Sequence, residues 1–536
     1  MIKAKTPLLR LGHDRADTSF FSRSSSLVFA SIVVLFVLAR LWRLTASCLW
    51  FDEIFSVHAA RHGWGQMISF VASDIIHPPL FYALLKLWIG IGGESLLWLR
   101  LFPALISCAT ILPFFLLCRE LRLGAVEMNL ALLLMAVNGY LIKYAQELRM
   151  YSLLLFLTLC SLWLFVRLFN DRPGSQQRHL LWLTAFNLLL VYTHYYGWLV
   201  IAVEAVFLLL RGRRVLPRFL IAVAFLVVCF SPWVYAVTVY AEQGRGLEQN
   251  IGWVARPGLH DVAQYLTTLN EPFYFRQSSD EPLYRYLSAT LSFVLFGLPL
   301  LILIWHIFRS RDQDEDRASA LRWLLLTCFL PLALAFSLSW ILPHSIWGTR
   351  HLIAVSAPYS ILTAIALMRL RPYWIKATVF LLFGCWLFLS GFVLLLVREE
   401  HYIWCAWNDL ARQATQAESA TTEPVRIYAF EDLVAYHLWF ALKGDESERF
   451  RVAVIKGIPG LAEDPAYFLP RRFDRIATGD ISALDGESVW IAFRDTGWNE
   501  DRPPLKTIEE RGYQVKNIFE AMAQGQRAFL VHLQRK

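Results

Sequence analysis

Eleven apolar runs dominate this sequence, and they constrain its fold more than any other feature. They lie near 25–44, 97–118, 126–142, 148–168, 180–196, 198–212, 216–238, 286–308, 321–342, 351–369 and 374–397. A helix needs about 20 apolar residues to cross a bilayer, and within the hydrocarbon each backbone polar group must be satisfied internally. A chain with this pattern is expected to fold as a bundle of spanning helices. Composition agrees: 57% of the 536 residues are hydrophobic and 18% are charged, against about 25% charged in a soluble globular domain. Disorder, a collagen-like repeat and a small disulfide scaffold are excluded on the same grounds.

The net charge is +8, but the basic residues do not form a nucleic-acid surface. They fall in short clusters between apolar runs: Arg119 and Arg122; Arg167, Arg172 and Arg178; Arg211, Arg213, Arg214 and Arg218. Arg309, Arg311, Arg317 and Arg322 follow, then Arg369, Arg371 and Lys376. Such clusters mark cytoplasmic loops. They all fall on one side if a twelfth run, 78–93, does not span. That run is short and contains Lys86, so it is expected as an interfacial or re-entrant helix on the outer side. Arg10, Arg15 and Arg23 precede the first run without a clean cleavage site, which makes 1–24 a cytoplasmic tail. The expected architecture is an α-helical polytopic membrane protein of about 11 spans. Residues 25–398 form its membrane domain, with outer loops 45–96 and 239–285, and 399–536 form a small outer α/β domain.

The tail owes its α/β reading to alternation. PVRIYAF (424–430), FRVAVIK (450–456), SVWIAFR (488–494) and AFLVHLQ (528–534) read as strands. LVAYHLWFALKG and LKTIEERG read as helices, the second stopped by Gly512. No glycine fingerprint follows a strand, so no nucleotide site is expected. The eight cysteines show no ligand spacing, and Cys108, Cys118, Cys160, Cys229, Cys328 and Cys385 lie in apolar runs. They read as small hydrophobes, with neither a disulfide nor a metal expected from them.

Ionisable residues at the edge of an apolar zone are costly, so they mark candidate sites. Four places stand out, all on the outer side of this topology. The first is Trp50-Phe51-Asp52-Glu53, where a carboxylate pair suits a general base, a cation ligand or a helix cap. The second is His77-Pro78-Pro79, with prolines suited to starting a helix. The third runs from Lys143 and Tyr144 to Glu147, Arg149 and Tyr151, with Glu147 and Tyr151 expected on one helix face; His194-Tyr195-Tyr196 is its companion. The fourth is Arg350-His351, a guanidinium on the side where positive residues are rare. Arg100, opening the second span, is misplaced in the same way. Arginine forks bind phosphate. Carboxylates beside arginines at an outer membrane surface suit a lipid-phosphate substrate. Glu204, inside the run 198–212, is expected to pair within the bundle. Inverted repeats with broken helices, the mark of alternating-access transport, are not evident.

The order of these features resembles the polytopic glycosyltransferases of the GT-C class. It is most similar to the protein O-mannosyltransferase and aminoarabinose-transferase superfamily and its bacterial RgtABCD-like relatives. The matching stretches are Phe51-Asp52-Glu53, His77-Pro78-Pro79-Leu80, Leu99 to Ala104, the basic turn Arg119–Leu123, Glu147 to Tyr151, and Arg350-His351, within residues 27 to 370. The Asp expected after the third span in true protein O-mannosyltransferases is missing, which favours the bacterial relatives. The resemblance implies an inverting hexosyl- or pentosyltransferase with a polyprenyl-phosphate-sugar donor and a lipid, glycan or protein acceptor. It implies a bacterial inner membrane location, with active site and C-terminal domain facing the periplasm. It assigns catalysis to Asp52, Glu53 and His77. Substrate contacts go to Arg100, Lys143, Glu147, Arg149, Tyr151, His194, Tyr195, Arg350 and His351. A divalent cation, where family members bind one, would here use Asp52, Glu53, His77 and Glu147. The alternative is a flippase or transporter of a polyprenyl-linked lipid or polysaccharide.

Overall fold

A computed structural model describes residues 8–11, 23–171, 173–241, 248–273, 285–309, 314–396, 402–419, 423–442, 449–461, 468–471, 473–495, 501–523 and 525–536. Arg15, Arg172, Arg311 and residues 274–284 of the second outer loop lie outside the described residues. The chain divides into two compact units. The first comprises Met1–Leu44, Ile75–Tyr240 and Val254–Arg398; the second comprises Thr45–Asp74, Ala241–Trp253 and Glu399–Lys536.

Among the described residues of the first unit all eleven apolar runs are largely helical, but eight helices are long and apolar enough to cross a membrane. These are Ser24–Leu41, Leu96–Glu120, Tyr151–Asn170, Leu216–Tyr240, Arg285–Arg309, Glu315–Ile341, Thr349–Met368 and Tyr373–Leu396. The expected count of about 11 is therefore not reached. Helix Gly197–Arg211 has only 15 residues. Helix Pro173–Thr193 has 21, but it opens on the polar stretch Gly174–His179. The twelfth run forms helix Leu80–Gly92, whose 13 residues reach about 20 Å against a core of about 30 Å. It turns back at Gly93, in the left-handed region at φ 77°. Trp88 and Trp98 then stack at 4.2 Å, and each indole N–H donates to the other's carbonyl.

The run 126–142 is not one helix. It breaks into Ala125–Val137 and Gly139–Gln146 at Asn138. The Asn138 Oδ1 accepts from Leu141 N–H at 2.9 Å, an N-cap worth about 1 kcal/mol. Its Nδ2 donates to the carbonyls of Thr268 and Leu269. The break leaves the last carbonyls of the first helix without intrahelical donors. Arg40, only 1% exposed, fills that need. Its guanidinium donates to Met135 O, Ala136 O, Phe36 O and Ser107 Oγ. Glu204 is paired within the bundle as expected, accepting from Ser161 Oγ at 2.7 Å and Asn187 Nδ2 at 2.9 Å.

The second unit holds a six-stranded sheet in the order β3-β2-β1-β4-β6-β5. The strands are β1 Val425–Ala429, β2 Phe450–Ile455, β3 Ala477–Gly479, β4 Ser488–Asp495, β5 Tyr513–Ala523 and β6 Gln526–Arg535. β1 is parallel to β2 and β4, β2 is parallel to β3, and β6 is antiparallel to both β4 and β5. The four expected strands are present, and β3 and β5 are added. Helix Asp432–Ala441 makes the crossover from β1 to β2, and helix Leu505–Glu509 ends before Gly512 at φ 87°. The core includes Tyr428, Ile491, Phe493, Phe529 and Val531.

One expectation about this unit is overturned. Cys48 and Cys405 form a disulfide, with Cα atoms 5.4 Å apart across 357 residues of sequence. Neither cysteine lies in an apolar run, so neither was bound to be a buried hydrophobe. The other six are free and sit in the helices.

Candidate active site

Three histidines converge in the first unit from segments far apart in sequence. His77 ends the turn before helix Leu80–Gly92, where two prolines set the helix start. His194 lies in the turn between helices Pro173–Thr193 and Gly197–Arg211. His351 is in the 3₁₀ turn Thr349–Val355, which leads into helix Ser356–Met368. Ring centroids are 5.3 Å apart for His77 and His194, 4.7 Å for His194 and His351, and 6.2 Å for His77 and His351.

The surroundings fix each ring. Tyr140 Oη donates to Thr349 O at 2.9 Å and Tyr265 Oη to Leu352 O at 2.7 Å, so two tyrosines hold the turn that carries His351. Gly348 is required beside it, since a Cβ there would stand 2.5 Å from His351 Nδ1. Tyr196 stacks edge-on against both His194 and His351, at 5.3 and 5.2 Å. Tyr151 lies along His351 at 6.2 Å. Ahead of His77, Ile75 adopts φ 70°, a strained value for a β-branched residue. Tyr195 Oη donates to the Ile75 carbonyl at 3.0 Å.

Charge enters through two arginines. Arg149 is buried and donates from Nη2 to His77 Nδ1 at 3.2 Å and from Nη1 to Tyr82 Oη at 3.4 Å. Arg350 is close enough to act electrostatically on His77 and His194. Burial, and after it the charge of Arg149, hold His77 well below the usual imidazole range. Burial, then Arg149 and Arg350, push His194 down to about 3. Both rings are therefore neutral at ordinary pH.

A neutral imidazole carries one proton, and the hydrogen bond at one nitrogen decides which nitrogen has it. His77 Nδ1 faces an arginine N–H, and His194 Nδ1 accepts from Tyr196 N–H at 3.0 Å. Neither partner can accept a proton, so both rings carry theirs on Nε2. The Nε2 atoms of His77, His194 and His351 are all buried and have no hydrogen-bond partner among the described residues. Buried polar atoms left in this state point to a ligand.

One ring nitrogen from each histidine lies within 4.8 Å of the others, a spacing suited to a metal ion. The hydrogen bonding is not suited to one. Ligation through Nε2 needs the proton on Nδ1, where it would meet the N–H of Arg149 or Tyr196. Two guanidinium charges add repulsion. His77 and His194 offer N–H donors to an anion better than lone pairs to a cation. Of the set expected for a metal, Asp52, Glu53, His77 and Glu147, His77 belongs to this cluster.

The other expected site residues divide. His77, Arg149, Tyr151, His194, Arg350 and His351 come together. Arg100 is buried in helix Leu96–Ala109 and donates to Gln146 O at 2.6 Å, holding the end of helix Gly139–Gln146. Lys143 Nζ lies 5.3 Å over the Tyr144 ring. Glu147 and Tyr151 do not share a helix: Glu147 is extended after the first helix, and Tyr151 begins the next. The intervening turn frees Arg149 to point at His77. Tyr195 turns away to the Ile75 carbonyl and Trp233, and its neighbour Tyr196 takes the place by the histidines. The stretch His194-Tyr195-Tyr196 is visible in the sequence with Tyr195 as the expected contact; adjacent tyrosines after a helix give no sign of which ring faces inward.

In the second unit, Asp52 and Glu53 open helix Phe51–Arg61. Glu53 is 2% exposed and its Oε2 accepts from Trp50 N–H at 3.1 Å, capping its own helix. Asp52 is half-buried.

No protein-family model matches the sequence. Protein O-mannosyl-transferase 1 of Rattus norvegicus is 27% identical over 173 residues, covering 28% of this chain and 22% of that protein's length. The structure of ArnT from Cupriavidus metallidurans bound to undecaprenyl phosphate aligns with a TM-score of 0.57 at 13% identity, over 94% of this chain and 97% of ArnT. Its apo form aligns over the same shares with a TM-score of 0.55 at 15% identity. In fold the chain is thus similar to ArnT, with weak sequence similarity over part of its length to a protein O-mannosyltransferase.

Proposed function

We propose that this chain is an inverting glycosyltransferase that moves a sugar from a polyprenyl-phosphate donor to an envelope acceptor on the outer side of the inner membrane. The observation that carries the reading is the buried trio of unpartnered histidine Nε2 atoms beside Arg149 and Arg350. The fold shared with ArnT, whose structure holds undecaprenyl phosphate, supports it. The disulfide supports the outer placement, since such bonds persist in oxidising compartments.

The chemistry follows from charge. The donor is a phosphodiester with one negative charge. As the acceptor hydroxyl attacks the anomeric carbon, the bond from that carbon to the phosphate oxygen breaks. The acceptor proton goes to Asp52, and the carrier leaves as a phosphomonoester with a second negative charge. Donors aimed at that growing charge act more strongly in the transition state than in the ground state. Arg149 and Arg350 supply full charges, and His77 and His194 supply neutral N–H groups. Neutral donors suit the task because they bind the oxyanion without protonating it. Asp52, on the helix that Glu53 caps, is the base of this scheme.

The test uses purified protein in lipid nanodiscs, a panel of polyprenyl-phosphate hexoses and pentoses, and an envelope extract as acceptor. Mass spectrometry should find a glycosylated product and free polyprenyl phosphate with wild type, and neither with Asp52→Asn. Equal product from both forms would remove Asp52 from the reaction. No product from any donor would turn the reading toward transport of the same lipid.

A further inference from the structure

The helix that carries Asp52 is built into the same compact unit as the C-terminal domain. Cys48, four residues before Asp52, is bonded to Cys405, the residue that precedes helix Ala406–Ala417. That helix buries Trp407, Leu410 and Ala414, so the disulfide is rooted in packed structure and not in a loose tail. A second tie is aromatic. Phe51, Phe55 and His58 lie at i, i+4 and i+7, on one face of helix Phe51–Arg61. Phe51 packs on Tyr436 at 5.1 Å, and His58 packs on Trp439 at 5.0 Å and Phe473 at 5.1 Å. Tyr436 and Trp439 belong to helix Asp432–Ala441, the crossover between β1 and β2. Asp52 stands one position along from Phe51, about 100° around the helix, off this seam.

A catalytic carboxylate must be held to within about 0.5 Å by elements that are themselves fixed. A short helix between two chain segments does not hold itself; isolated helices of this length are marginal. We propose that the C-terminal domain is the mount for the first-loop carboxylate, fixing Asp52 through the Cys48–Cys405 bond and the seam on Tyr436 and Trp439. On this view Cys48, Cys405 and Trp439 are positioning residues, and turnover depends on the oxidised pair. The proposal rests on the reading of Asp52 as base.

The test compares the full-length protein in nanodiscs as wild type, as wild type reduced and re-oxidised, and as Cys48→Ser/Cys405→Ser. Two readouts are taken: transfer kinetics, and hydrogen exchange of the peptide spanning 49–62. Loss of the bond should lower kcat about 10–100-fold, leave the donor KM within about twofold, and speed exchange over 49–62. Re-oxidation of wild type should restore both, and reductant should leave the double variant unchanged. Trp439→Ala, which keeps the bond, should show the same pattern more weakly. Unchanged kcat and unchanged exchange without the disulfide would overturn the proposal. So would a loss shared equally by kcat and donor binding, because a mount for the base acts on the chemical step. If wild type transfers no sugar, the transferase reading fails by itself. Exchange over 49–62 then still decides whether the domain holds this helix.

Discussion

Two sets of buried histidines in this protein have opposite characters. His532, on β6, lies flat on Trp490 at 4.5 Å, and its Nε2 meets Ser488 Oγ at 2.6 Å. Glu418 stands 3.7 Å from the same nitrogen and accepts from Trp490 Nε1 at 3.0 Å. Every group in that network answers another, as buried polar groups in a stable core must. His77 and His194 are equally buried and His351 is partly exposed, yet the Nε2 atoms of all three are buried and find no protein partner among the described residues. On the proposed function, the difference separates a histidine that finishes a fold from histidines that receive a ligand. It also shows why burial alone is a poor guide to a site.

The comparison is broken or sharpened by variants. The largest effect is expected from Arg350→Gln, which removes a full charge from the anion-receiving side. It should lower kcat/KM for the donor about 10²–10³-fold while the thermal midpoint moves little; an unchanged kcat/KM would take Arg350 out of the site. Next comes a matched pair. His194→Ala should lower kcat about 10²-fold, whereas His532→Ala should leave transfer unchanged and lower Tm by about 2–4 °C. Similar kinetic losses from both would erase the distinction drawn above. A smaller effect, about tenfold in kcat, is expected of Gly348→Ala, because its Cβ would displace the His351 ring; wild-type turnover would show that the ring can yield.

The smallest effect is one of stability against pH. His194 has a folded value of about 3 and an unfolded value of about 6.5. Between these the unfolded chain takes up a proton that the folded chain refuses. The stability from this group is complete above about pH 6.5 and is lost as pH falls toward 3. Burial lowers His532 as well, but Glu418 opposes it. His194→Gln should therefore flatten the acid limb of a Tm–pH curve more than His532→Gln does. The reverse order would mean that burial, with Arg149 and Arg350 after it, does not hold His194 down.

Much of this was legible in the sequence for physical reasons. Hydrophobic runs report burial or lipid directly, so each of the eleven is helical, though 126–142 is split in two. Their number as spans was less legible, because Asn138 interrupts one run through its own side chain and polar stretches shorten others. The strands that bury both faces were visible. β5, with a mostly exposed alternating edge, and the three-residue β3 were not. The six convergent site residues were flagged for being polar at an apolar edge. Which of them point together was not, since a single turn at 147–150 reverses the facing of Arg149. A disulfide across 357 residues leaves no local trace at all.

That separation has a consequence for how the protein is made. Ribosomes add about 5–20 residues per second, so the 357 residues between Cys48 and Cys405 occupy roughly 20–70 s of synthesis. For that interval Cys48 is a thiol in search of a partner that does not yet exist. The six other cysteines emerge meanwhile, and every one is carried in a helix. The placement of cysteines thus keeps the early thiol unspoiled until its late partner arrives, and the last segment of the chain to be made seals one of the first.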